Sequence, residues 1–87
     1  MKFNDVFFRK KERFSVGIEE KTGRFYVSIP VSNQMVDYEE YFEIDENTFD
    51  AYIKNPTTAL SFVECCRNRE VDNLLMIQPG IDRGVAT

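Results

Sequence analysis

The stretch "FSVGIEEKTGRFYVSIPV", residues 14–31, decides the fold because its apolar residues alternate with other residues on both sides of a short turn. Such alternation is typical of strands that bury one face. The turn "EKTG" ends in Gly23, which can adopt the left-handed conformation that a hairpin turn requires. The stretch therefore predicts a β-hairpin in which Glu19 pairs with Arg24.

A third alternating run, residues 36–44, predicts a third antiparallel strand. A two-residue turn at Asn33 and Gln34 would pair Val31 with Val36 and would keep the apolar residues of all three strands on one face. The same register predicts the cross-strand pairs Phe25 with Phe42, Tyr26 with Tyr41, and Arg24 with Glu43.

The period changes to that of a helix after residue 44. Phe49, Tyr52 and Ile53 follow the spacing i, i+3, i+4, and Asp45 is a natural N-cap, so a short helix is predicted. The pair Asn55-Pro56 should end this helix and begin a second one, because the residue before proline avoids the helical conformation.

Two adjacent cysteines lie on the second predicted helix. Cys66 falls on the same stripe as Ala59 and Val63, which predicts a core position, whereas Cys65 lies at the edge of the stripe. Neighbouring helical side chains diverge by about 100°, so the two thiols cannot converge on one metal ion. We expect no metal site and no cofactor.

The predicted fold class is α+β: a three-stranded antiparallel meander, two helices packed on one face, and a fourth C-terminal strand at residues 71–77, "VDNLLMI". If that strand joined the free edge of the first, the order would be 4-1-2-3. Residues 3–8 are compatible with a short helix or with an added strand. We expect a single domain over 1–87, divided into an N-terminal segment 1–12, a core 13–77, and a C-terminal turn and tail or strap 78–87.

Composition narrows the function. The net charge of −4 argues against nucleic-acid binding, which depends on Lys and Arg. No apolar run is long enough to span a membrane and no signal-peptide pattern is present, so a cytoplasmic location is expected. The absence of histidine removes the commonest catalytic base, and no phosphate-binding loop is found. We therefore expect that the protein is not an enzyme.

Glu40 interrupts the apolar face of the third predicted strand. Either a β-bulge turns it outward or it is a buried carboxylate with a basic partner, for which Lys54, Arg67 and Arg69 are candidates. A small hydrolase that uses Glu40 or the outer carboxylates of the third strand is the enzymatic alternative.

The outer sheet face carries the predicted binding residues Tyr26, Tyr41, Asp37, Glu39, Glu43 and Arg24. Tyrosines are enriched in binding patches, and an acidic frame favours a basic partner. The sequence therefore predicts a protein-interaction or regulatory module, such as an inhibitor of a basic protein. A homodimer formed through the free edge of the third strand is the other alternative.

Overall fold

Four antiparallel strands follow one another along the chain and lie in the same order in the sheet. The computed structural model describes all residues, 1–87. The strands are β1 (Phe3–Arg9), β2 (Phe14–Glu19), β3 (Arg24–Ser32) and β4 (Asp37–Ile44), with a short β5 (Val85–Ala86) at the C-terminal end. The predicted α+β class is confirmed.

The first hairpin has the predicted register. Glu19 lies opposite Arg24, and Val16 lies opposite Val27. Gly23 has a φ of 73° and donates its backbone N–H to the Glu19 carbonyl at 2.8 Å. The left-handed glycine therefore closes the turn and fixes which side chains of β2 and β3 face the core.

The Glu19 carboxylate stabilises this turn from inside. It is fully buried and accepts hydrogen bonds from the Thr22 hydroxyl at 2.6 Å, the Thr22 N–H at 2.9 Å and the Lys2 N–H at 2.8 Å. These donors, the Thr22 side chain foremost, lower the pKa of Glu19 to about 2. The carboxylate thus links the β2–β3 turn to the start of the chain.

The predicted register of the second hairpin is wrong by two residues. Phe42 lies opposite Val27, and Glu43 lies opposite Tyr26. The loop has four residues because the Asn33 side chain accepts the N–H groups of Met35 and Val36, both at 2.8 Å. A shift of two preserves the alternation, so the core-facing side chains are those predicted.

The N-terminal segment forms β1, the added-strand alternative. β1 pairs with β2 and shifts register between Asp5 and Phe7, where Val6 bulges out. It occupies the free edge of β2, so the order 4-1-2-3, in which a C-terminal strand joins that edge, is not the one observed.

Two helices cover the inner face of the sheet: α1 (Glu46–Lys54) and α2 (Leu60–Arg67), with a 3₁₀ turn at Pro56–Ala59 between them. The predicted N-cap is confirmed, since Asp45 accepts the Thr48 N–H at 2.8 Å. The core joins strand and helix residues, namely Phe14, Val16, Val27, Ile29, Val31, Phe42, Ile44, Phe49, Ala59, Val63, Cys66 and Leu75. Neither helix has the length and apolar character needed to cross a membrane.

The predicted strand at 71–77 is wrong. A 3₁₀ helix forms at Asp72–Leu74 and is followed by a single bridge between Leu75 and Phe42. A short apolar run fits a buried strand and a buried turn equally well, and here one residue, Leu75, enters the core. The C-terminal strand is instead β5. It pairs with Val31 and Ser32 of β3, past Ser28, where the pairing of β3 with β2 ends.

Glu40 is buried, with 7% of its surface exposed, and no bulge turns it outward because its pairing with Ile29 is regular. Both of its carboxylate oxygens accept from Arg83, at 2.8 and 2.9 Å. Arg83 also donates to both oxygens of Asp72. The C-terminal segment is therefore a strap that an ion-pair cluster holds against β4.

The three basic residues proposed as partners of Glu40 do not contact it. Arg67 donates to the Glu12 carbonyl, and Arg69 donates to the Gly84 carbonyl at 2.8 Å. Gly84 in turn donates its N–H to the Tyr38 hydroxyl at 2.8 Å. The arginines at and after the end of α2 thus bind backbone carbonyls of the β1–β2 turn and of the strap.

Candidate protein-binding site

Tyr26 lies on the outer sheet face, as predicted, but none of its surface is exposed. Its ring crosses β2 at Gly17, where a Cβ atom would lie 2.6 Å from the Tyr26 Cζ. Its hydroxyl donates to Asp5 of β1 at 2.6 Å. Burial, together with this bond, raises the pKa of Tyr26. Tyr26 therefore belongs to a second, outer core and offers no surface to a partner.

Two further rings cover Tyr26. Phe3 stacks on Tyr41 with the ring centroids 3.6 Å apart, and both rings stand nearly perpendicular to Tyr26, at 5.3 and 5.0 Å. The two tyrosines still touch because diagonal neighbours on adjacent strands lie within reach of aromatic rings. Tyr41 keeps part of its surface exposed.

The charged residues of the outer face divide into two groups. Arg24 and Glu43 form an ion pair at 2.5 Å, and the guanidinium lowers the pKa of Glu43. Asp37 and Glu39 are exposed and form no ion pair. Partial desolvation of its carboxyl group raises the pKa of Glu39, and the charge of Asp5 adds to the increase. The outer face thus leaves the carboxylates of Asp37 and Glu39 and part of the Tyr41 ring accessible to a partner.

A groove runs along the outer edge of β4. The Met76 N–H donates to the Tyr41 carbonyl at 2.9 Å, so the backbone groups of Tyr41, and by alternation those of Glu39, point away from β3. Beyond Met76, no backbone hydrogen bond joins the segment 77–82 to β4. The segment arches away and leaves a cavity of about 460 Å³ between itself and the strand.

Exposed apolar side chains surround this groove. Met35 and Ile81 expose 87% and 103% of their surface, and Val36 and Ile77 expose more than half. Val36, Ile77 and Ile81 line the groove, while Met35 and Ile81 line an adjoining depression. These four residues, which line two adjoining depressions that share Ile81, are called here the apolar patch. Contiguous apolar surface on a small protein marks interaction sites.

The free charge around the groove is negative. Glu39 and Asp82 line it and form no ion pair, and no lysine or arginine lines it. Glu40 also lines it, but Arg83 occupies both of its oxygens. No three His, Cys, Asp or Glu side chains come together as a metal site would require.

The sequence reasoning missed the apolar patch. Val36 and Ile77 fall in predicted strands, 36–44 and 71–77, with Val36 on the core face, while Met35 and Ile81 lie next to a predicted turn and in the C-terminal segment, where no period assigns a face to a side chain. The available signal was the position of Met35 and Val36 in a turn, and of Ile77 and Ile81 on either side of Pro79 and Gly80. Turn residues are normally polar, so turn formation does not explain why apolar residues occupy these positions.

Comparison of the chain with protein-family models, with curated proteins and with solved structures finds no match.

Proposed function

We propose that this protein acts by binding another protein, as a non-enzymatic interaction or regulatory module, and that the apolar patch is its contact surface. The apolar patch beside unpaired carboxylates carries this proposal. Burying Met35, Val36, Ile77 and Ile81 would supply the hydrophobic gain of association, since none of them contributes to the core.

The partner is basic. Asp37, Glu39 and Asp82 form no ion pair and lie on or beside the groove. A complementary positive surface accelerates encounter and discriminates against acidic proteins. An acidic binding surface of this kind would suit an inhibitor of a basic protein.

The absence of enzymatic activity is part of the proposal. Of the three carboxylates that line the groove, Glu40 is buried and has both oxygens bound by Arg83, so it is poorly placed to act on a substrate. The hydrolase alternative would then depend on Glu39 and Asp82. Turnover of any substrate that Glu39→Gln abolishes would support that alternative and contradict ours.

The test is affinity capture with three forms of the protein: wild type, Met35→Ser/Ile81→Ser, and the matched control Val6→Ser/Ile53→Ser, which alters exposed apolar residues elsewhere. We expect a protein that wild type and control retain and that the patch variant loses. The purified partner should then bind the patch variant at least tenfold more weakly, and its affinity for wild type should fall with salt. Equal binding of every captured protein to all three forms would refute the proposal.

A homodimer through β4 is the second candidate, because the backbone of Glu39 forms no hydrogen bond to a neighbouring strand on that edge. Sedimentation of the pure protein at two concentrations distinguishes the two. A stable dimer supports edge pairing between copies, and a monomer leaves the edge and the patch for a different protein.

A further inference from the structure

We propose that the groove receives an extended, basic segment of the partner, which adds as a strand to the free edge of β4. This inference rests on the proposed function and specifies the mode of binding and the chemistry of the segment. Its structural basis is the combination of an unpaired strand edge, an apolar lining and unpaired carboxylates in one cavity.

The strand edge supplies backbone hydrogen bonds. The chain before the segment 77–82 pairs with β4 only as far as the hydrogen bond from the Met76 N–H to the Tyr41 carbonyl. The N–H and C=O of Glu39 therefore face the groove. The stretch from Asp37 to Tyr41 extends over roughly 13 Å at about 3.3 Å per residue. An added strand of four or five residues would continue the pairing line that Met76 begins, which is the usual geometry of strand addition.

The side chains around the edge specify the segment. Successive side chains of a strand point to opposite faces, so an added strand presents one set to the carboxylates of the outer face and the other set to the apolar lining. Glu39 stands on the first side, while Val36, Ile77 and Ile81 line the cavity. The expected segment therefore alternates Lys or Arg with branched apolar residues.

A second copy of this chain fits the edge less well. Two copies paired through β4 would bring Asp37 and Glu39 of each chain together, and like charges facing each other across strands are destabilising. The basic run of the chain, residues 9–13, forms the end of β1 and the β1–β2 turn, where Arg13 donates its N–H to the Arg9 carbonyl. It is therefore not an extended segment that a neighbouring copy could insert.

The test uses a six-residue peptide of alternating Lys and Val with blocked ends, titrated into the full-length protein by calorimetry and NMR. We expect a dissociation constant below 1 mM and slower amide hydrogen exchange at Glu39 and Tyr41. The same peptide with every second backbone amide N-methylated should bind at least tenfold more weakly, because it cannot complete the ladder. A Glu–Val peptide should not bind.

Matched protein variants check the charge requirement. Glu39→Gln/Asp82→Asn should weaken the Lys–Val peptide about three- to tenfold and flatten its salt dependence. The control Glu46→Gln/Asp50→Asn, which removes two exposed carboxylates from α1, should bind like wild type.

Each contrary result overturns strand addition in a distinct way. Equal binding of the N-methylated peptide would show that the backbone edge is not used, and equal binding of the Glu–Val peptide would remove the basic requirement. Slow exchange at Glu39 in a dimer without peptide would identify a second copy as the occupant. If no peptide binds while a captured protein still depends on the apolar patch, strand addition fails and the proposed function stands.

Discussion

Replacement of Arg83 by methionine tests the strap most directly. Arg83 donates to both oxygens of Glu40 and both oxygens of Asp72, at 2.7 to 2.9 Å, and only 14% of its side chain is exposed. Arg83→Met would leave the Glu40 carboxylate buried with no partner. Asp72 is more exposed, at 39%, so water can replace its lost bonds.

The expected loss is about 3–5 kcal/mol, the cost of breaking a buried ion pair by removing one partner. Water around Asp72 keeps its share of that loss small. A domain of 87 residues has a free energy of unfolding on the order of 4–13 kcal/mol. The variant should therefore lose a large part of its stability, with a Tm lower by more than about 12 °C.

Urea unfolding followed by far-UV circular dichroism measures this loss, since the chain contains no tryptophan. Glu40→Met/Arg83→Met should recover to within about 2 kcal/mol of wild type, since no uncompensated charge remains in the core.

Lys11→Met, at an exposed site, is the matched control and should stay within about 0.5 kcal/mol of wild type. The reasoning is wrong if Arg83→Met loses less than about 1 kcal/mol, or if the double variant is as unstable as the single one.

Three further results are expected. Gly17→Ala would force a methyl group against the neighbouring backbone and against the Tyr26 ring, at a cost of about 1–3 kcal/mol in stability. Gly80→Ala has open space around it and should be neutral. Equal urea midpoints for the two variants would contradict the close approach of the Tyr26 ring to Gly17. A thiol-specific disulfide reagent should modify Cys65 in the native protein and Cys66 only after unfolding, because burial shields the Cys66 thiol and raises its pKa. Rapid modification of both thiols in the native protein would contradict this expectation. Glu19→Gln should destabilise at pH 7, and the difference should close as the pH falls from 4.5 to about 2, because the folded pKa of Glu19 lies below its unfolded value; a pH-independent difference would refute the assignment.

Alternation in the sequence was sufficient to identify β2, β3 and β4 and the faces of their side chains. The pattern of residues 14–31 predicts β2, β3 and their register, because Gly23 and a four-residue turn leave one pairing that keeps both apolar faces together. The pattern also places Cys66 in the core, since its helical angle matches that of Val63. These features depend on neighbours close in sequence, whose spacing reports directly on geometry.

The tertiary structure decided what depends on distant neighbours. A two-residue shift in the β3–β4 register preserves every side chain's face, so alternation cannot detect it, and the Asn33 side chain settles it. Arg83 pairs with Glu40 across 43 residues of chain, and local spacing carries no record of such a contact. The groove exists because the segment 77–82 leaves the edge of β4 after one backbone bond, which depends on how the strap closes over the finished sheet. Burial of the predicted binding residue Tyr26 likewise required Gly17 of one strand and Asp5 of another, brought together only when the sheet forms.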